Sequence, residues 1–98
     1  MEDLKWLSLE GCPHIDDWCL DRIAGEYEHS LEYLNVRDCP LVTEKGISSL
    51  SKLKKLKTLY IGGHPKAKHL ELVCLMLEEV VPNINIRGIV YCDQTLLK

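Results

Sequence analysis

The sequence predicts an α/β fold in which one strand–loop–helix unit is laid down about three and a half times. Three observations carry that prediction. One spelling recurs: Leu4, Leu7, Leu9, Cys12, Pro13, Ile15, Leu20 and Ile23 return 27 positions later as Leu31, Leu34, Val36, Cys39, Pro40, Val42, Ile47 and Leu50. After 25 more positions come Leu56, Leu59, Ile61, His64, Pro65, Ala67, Leu72 and Leu75, and 25 beyond those Val81, Ile84 and Ile86. Each copy opens with apolar residues spaced by two, the period of a half-buried strand. Each of the first two then reaches a helix-capping residue at the same position, Asp16 and Thr43. The shared spelling is L-x-x-L-x-L-x-x-C, the leucine-rich-repeat pattern with cysteine where asparagine often stands. The expected architecture is a leucine-rich-repeat solenoid with a parallel β-sheet on its concave face and helices on its convex face. It is expected to form a single domain over residues 1–98, with repeats at about 4–30, 31–55, 56–80 and 81–90 and a tail over 91–98.

The elements follow in order. In residues 4–10, Leu7 and Leu9 face inward while Trp6, Ser8 and Glu10 face outward. Asp16 is the expected N-cap of a first helix over about 17–24, with Asp17 in its dipole-favoured first turn and Gly25 as the expected C′ residue. The second strand turns Leu34 and Val36 inward and Tyr33, Asn35 and Arg37 outward. Thr43 then caps a helix over about 44–50. The third strand turns Leu59 and Ile61 inward and Thr58 and Tyr60 outward, and Gly62–Gly63 marks a turn. A longer third helix over about 69–80 stops before Pro82. Stacking successive strands about 4.8 Å apart gives outward columns Trp6/Tyr33/Thr58, Ser8/Asn35/Tyr60/Asn85 and Glu10/Arg37/Gly62/Arg87. Tyr, Trp and Arg are the residue types that most often dominate protein interfaces. Trp6, Ser8, Glu10, Tyr33, Asn35, Arg37, Thr58, Tyr60, Asn85 and Arg87 are therefore the expected protein-binding surface.

Bulk properties narrow the function classes. A formal charge of −3 gives no basis for nucleic-acid binding. No apolar run reaches the roughly 20 residues of a membrane span, since Glu71, Glu78 and Glu79 break the longest one. Five cysteines without an apolar stretch after a basic start fit free thiols in a reducing compartment. Leu4 follows only Met1, Glu2 and Asp3, so the first repeat lacks a polar cap, and a covered edge or a longer parent chain is expected.

Cys12, Cys39 and His64 share a column, with His14 and Cys19 nearby. Their spacing matches no common zinc pattern, and stacked side chains that point the same way do not favour a Cys12–Cys39 disulfide. The simpler reading is small side chains filling each turn and hydrogen-bonding its backbone. Cys74 is expected in the core, and Cys92 in the tail is the candidate exposed thiol. Neither a nucleophile–base pair nor a phosphate loop appears, so the expectation is a non-enzyme without cofactor, metal or catalytic residues. Lys52, Lys54, Lys55 and Lys57 read either as a solvated helix end or as a peripheral membrane contact or acidic-partner patch.

The string Gly11–Cys12–Pro13–His14–Ile15–Asp16–Asp17–Trp18–Cys19–Leu20 goes beyond the generic repeat. With Leu31–Glu32–Tyr33–Leu34, Val42–Thr43–Glu44–Lys45–Gly46–Ile47, Leu56–Lys57–Thr58–Leu59 and the closing Val81–Pro82–Asn83–Ile84–Asn85–Ile86, it resembles the ATP synthase subunit s (coupling factor B) family. That family includes the distal membrane-arm assembly component of respiratory complex I, and the Cys12–Leu20 string resembles that branch more. The resemblance covers about residues 4–88. It implies a non-enzymatic assembly or coupling factor on the matrix side of the mitochondrial inner membrane, binding subunits of a respiratory-chain complex. Family members carry an N-terminal segment and a targeting peptide before the repeats, so this sequence is expected to be the repeat portion alone or a divergent short member; no reactive thiol pair carries over. Cysteine-type repeats also occur in F-box substrate receptors. The alternative implied is the substrate-recognition region of a cytoplasmic ubiquitin ligase.

Overall fold

Apolar residues at every second position extend the chain four times, and four strands result. The computed structural model of the protein describes residues 3–88. Strands β1 (Trp6–Ser8), β2 (Tyr33–Asn35), β3 (Thr58–Tyr60) and β4 (Asn85–Arg87) form one parallel sheet in sequence order. Ladder hydrogen bonds run past the strand ends, from Tyr33 N to Lys5 O (2.9 Å) and from Gly11 N to Arg37 O (2.9 Å). The sheet pairing thus spans the whole outward set that the alternation identifies in the first strand.

Helices α1 (Asp17–Glu26), α2 (Glu44–Ser49) and α3 (Leu70–Val80) join successive strands, and a 3-10 turn, Leu50–Lys52, extends α2. The expected caps form: Asp16 accepts from Cys19 N and Thr43 from Lys45 N, each satisfying an otherwise free first-turn donor. Helix α1 packs on α2 and α2 on α3. Leu34, Val36, Leu59 and Ile61 from the sheet meet Leu20, Ala24, Ile47, Leu50, Cys74 and Leu77 from the helices in one buried cluster.

Three expectations need correction. Gly25 does not end α1. The helix runs through it to Glu26, and Tyr27 N caps it by donating to Ile23 O at 3.0 Å, because the Tyr27 side chain packs against the core two residues further on. In α3 the buried residues are Cys74 and Leu77, whereas Leu72 and Leu75 are exposed. The β3–α3 loop (61–69) has nine residues against eight in each of the first two (9–16 and 36–43), which turns the helix relative to the core. Finally, β4 pairs 27 positions from β3, not 25: Asn85 lies beside Thr58 and Arg87 beside Tyr60. The sheet columns are therefore Trp6/Tyr33/Thr58/Asn85 and Ser8/Asn35/Tyr60/Arg87. Cys92 and the tail over 91–98 lie outside the described residues.

The turn after each strand repeats its backbone as well. Gly11, Asp38 and Gly63 hold one position in successive units and all have positive φ, at 76°, 59° and 72°. Glycine takes that conformation freely, and aspartate is among the few other residues that tolerate it.

Candidate partner-binding face

The outward side chains of the sheet collect along its two columns. The Trp6 and Tyr33 rings stack at 4.9 Å and 8°, and Tyr60 meets Tyr33 at 5.7 Å and 55°. Parallel neighbours bring these rings within contact distance, and stacked or tilted geometries suit their quadrupoles. Trp6 is 59% exposed, so this aromatic row presents apolar surface to solvent. Ser8 and Thr58 are half-buried, while Arg37, Asn85 and Arg87 are exposed.

Asn35 plays a different part from its neighbours. It is buried, donates from Nδ2 to Glu10 Oε1 (3.1 Å) and accepts at Oδ1 from Arg37 N (3.0 Å). Its amide and one oxygen of Glu10 are spent on holding the face together. A buried amide needs such partners, because leaving it unpaired costs about 1–3 kcal/mol.

Below the face, Cys39 and His64 bind the turn of the preceding unit. Cys39 Sγ donates to Leu9 O at 3.1 Å, and His64 Nδ1 lies 3.1 Å from Cys39 O. This is the turn-filling arrangement expected from the sequence. Burial pushes the Cys39 thiol pKa up, and burial raises that of Cys74 to about 11, so both stay protonated at neutral pH. The described cysteines, Cys12, Cys19, Cys39 and Cys74, are free thiols.

The unit boundaries are clamped by acids. Asp17 accepts from Thr43 N (2.8 Å) and Thr43 Oγ1 (2.5 Å), and Glu44, one unit on, accepts from Lys68 N (2.9 Å). Another column, Lys5/Glu32/Lys57, precedes the strands: Glu32 lies 3.7 Å from Lys5 Nζ and 3.8 Å from Lys57 Nζ. Sequence reasoning missed this column, although the offsets of 27 and 25 connect its three members. It also missed the exposed Trp18, with Arg22 over its ring at 5.1 Å. The lysine run divides: Lys52 pairs with Asp21 at 2.8 Å, while Lys54, Lys55 and Lys57 line a cleft with Glu32, Leu56 and Asn83.

Among the described residues, no helix is long and apolar enough to cross a membrane. No family model matches the chain. Over 88 residues it is 39% identical to distal membrane arm assembly component 2 of Drosophila melanogaster, covering 90% of this chain and 31% of that protein. It is 27% identical over 92 residues to the mitochondrial ATP synthase subunit s of Bos taurus, covering 89% of this chain and 46% of that one. The Rattus norvegicus subunit s is 27% identical over 89 residues, covering 89% of this chain and 44% of that protein. The chain thus spans less than half the length of these curated relatives. Over this shared stretch, its curated homologues are distal membrane arm assembly component 2 and ATP synthase subunit s.

Proposed function

We propose that this chain is a non-enzymatic protein-binding scaffold that serves the assembly or coupling of a mitochondrial respiratory complex from the matrix side of the inner membrane. The observation that carries this reading is the 39% identity over nine tenths of the chain to a protein named as a membrane-arm assembly component. The lower identity to ATP synthase subunit s, 27%, favours the distal membrane arm of complex I over ATP synthase as the destination. We read the strand–helix units as leucine-rich repeats of a curved solenoid. The support is their common register, the positive-φ turn at Gly11, Asp38 and Gly63, and the Cys39 and His64 bonds to the preceding turn.

The partner surface in this reading is the sheet face. Trp6, Tyr33 and Tyr60 supply rigid aromatic area, while Ser8, Glu10, Arg37, Thr58, Asn85 and Arg87 supply a polar rim around it. Asn35 acts from beneath by fixing Glu10 and the backbone of Arg37. The test is affinity capture of the full-length protein from its own cells, compared with the variant Arg37→Glu, Tyr60→Ala. The expected result is recovery of complex I membrane-arm subunits and their loss with the double variant, while its melting temperature stays within a few degrees. Capture that survives both changes excludes this face. Recovery of a cullin-linked adaptor instead excludes the assembly role.

A further inference from the structure

A second site lies away from the sheet face, at the turns that lead into β3 and β4. Glu32, Lys54, Lys55, Leu56, Lys57 and Asn83 line a cleft of about 400 Å³. That volume is near the lower end of small-ligand clefts, roughly 300–1,000 Å³. We propose that this cleft binds a phosphate group, carried by a lipid head group or by a soluble phosphate ester.

Charge and donors both point to phosphate. Glu32 is the one acid lining the cleft, and it is shared between Lys5 and Lys57. The Lys54 and Lys55 side chains are exposed and have no ion-pair or hydrogen-bond partner among the described residues. The three lysines that line the cleft outnumber its one carboxylate and leave an excess of positive charge there. Each ammonium offers three N–H donors, and Asn83 carries a carboxamide with two more. A phosphate has the several oxygens and the charge needed to engage more than one of them, and lysine binds it as a point charge. The surroundings limit the size of the target. Glu26 and Glu28 lie at and after the end of α1, and Glu78 and Glu79 lie in the last turn of α3. These acids confine the attraction to the cleft and oppose a broad anionic surface laid across the whole edge. The site is independent of the sheet-face reading, since none of its residues belongs to that face.

The experiment uses the full-length protein. Glycerol 3-phosphate is titrated in while the backbone amides of Leu56, Lys57 and Asn83 are followed by NMR. In parallel, sedimentation is measured with vesicles of phosphatidylcholine alone and of phosphatidylcholine mixed with phosphatidylglycerol. Saturable amide shifts with glycerol 3-phosphate assign a soluble ester. Binding confined to the phosphatidylglycerol vesicles assigns a head group. Lys54→Glu, Lys55→Glu should weaken the observed binding about thirtyfold, at about fivefold for each lysine lost. Lys45→Glu, Lys66→Glu, which makes the same change in net charge on exposed residues outside the cleft, should leave binding within about twofold. Circular dichroism of both variants checks that the fold is kept. Absence of binding in both arms overturns the proposal. So does equal weakening by the two double variants, which would reduce the effect to overall charge.

Discussion

At the scale of single residues, stability is concentrated in carboxylates that reach from one unit to the next. Asp17 belongs to α1 yet accepts two hydrogen bonds from Thr43, the cap of α2. Asp17→Ala should therefore cost about 3–6 kcal/mol, since each of the two hydrogen bonds to the charged acceptor contributes about 1.5–3 kcal/mol; urea unfolding of the variant measures the loss. Gly46 sits against the same carboxylate, with the place of a Cβ 3.0 Å from Asp17 Cα, so no larger residue fits there while Asp17 holds its position. Acid should loosen carboxylate–backbone contacts both within and between units. The Cys19 N–H holds the Asp16 pKa below its ordinary 3.8, and the Lys68 N–H holds that of Glu44 below its ordinary 4.5. Both groups bind protons more weakly in the folded chain than in the unfolded one. Their contribution is fully present above pH about 4.5 and is lost as pH falls through the lower folded values. Melting temperature measured from pH 6 down to pH 3 should fall most steeply below pH about 4, and Asp16→Asn with Glu44→Gln should flatten that fall.

At the scale of elements, caps and faces were legible in the sequence, while ends and phases were not. Asp16 and Thr43 announce helix starts because a side-chain oxygen at that position meets a local need, the free N–H groups of the first turn. The end of α1 depends instead on where Tyr27 finds the core, and a glycine two residues earlier gives no sign of that. Substitution separates the two kinds of glycine. Gly25 lies inside the helix without positive φ, and a Cβ there would meet nothing within 4 Å. Gly25→Ala should stabilise the chain by about 0.4–1 kcal/mol through a less flexible unfolded state. Had Gly25 been a left-handed C′ residue, the same change would be unfavourable. Gly11, at φ 76°, is in that position at its own turn, and Gly11→Ala should cost about 1–2 kcal/mol. Thermal melts of the two variants should move in opposite directions. The register of β4 escaped the sequence for a related reason. Ile84 and Ile86 are both apolar and two apart, so a slip of two residues keeps every side chain on the same face. Only the lengths of the β3–α3 loop and of α3 decide between the two registers, and they are set by packing in three dimensions.

At the scale of the whole molecule, each unit buries its apolar residues against its neighbours, so position in the stack should govern how much a truncation costs. Leu7, Leu34 and Leu59 are equivalent and pair side by side across the sheet. Leu34 has a unit on each side and is fully buried, whereas Leu7 lies in the edge strand β1 and is only half-buried. Leu34→Ala removes the same atoms as Leu7→Ala but leaves a cavity closed on both sides, and such cavities bring the cost to about 2–5 kcal/mol. The edge site can relax into the space vacated and loses less apolar burial, so its cost should be about half as large. A chain of this size has only about 5–15 kcal/mol of stability to lose. Leu34→Ala should therefore unfold a measurable fraction of the protein at 37 °C, while Leu7→Ala leaves it folded. Denaturant curves read by circular dichroism and by the fluorescence of Trp6 and Trp18, both in the first unit, distinguish how the units are coupled. If they act as one cooperative body, both probes shift together for either variant. If the first unit opens separately, Leu7→Ala moves the tryptophan signal to lower denaturant than the helix signal. Equal losses for the two leucines would mean that the edge of β1 is as tightly packed as the centre of the sheet, contrary to its burial.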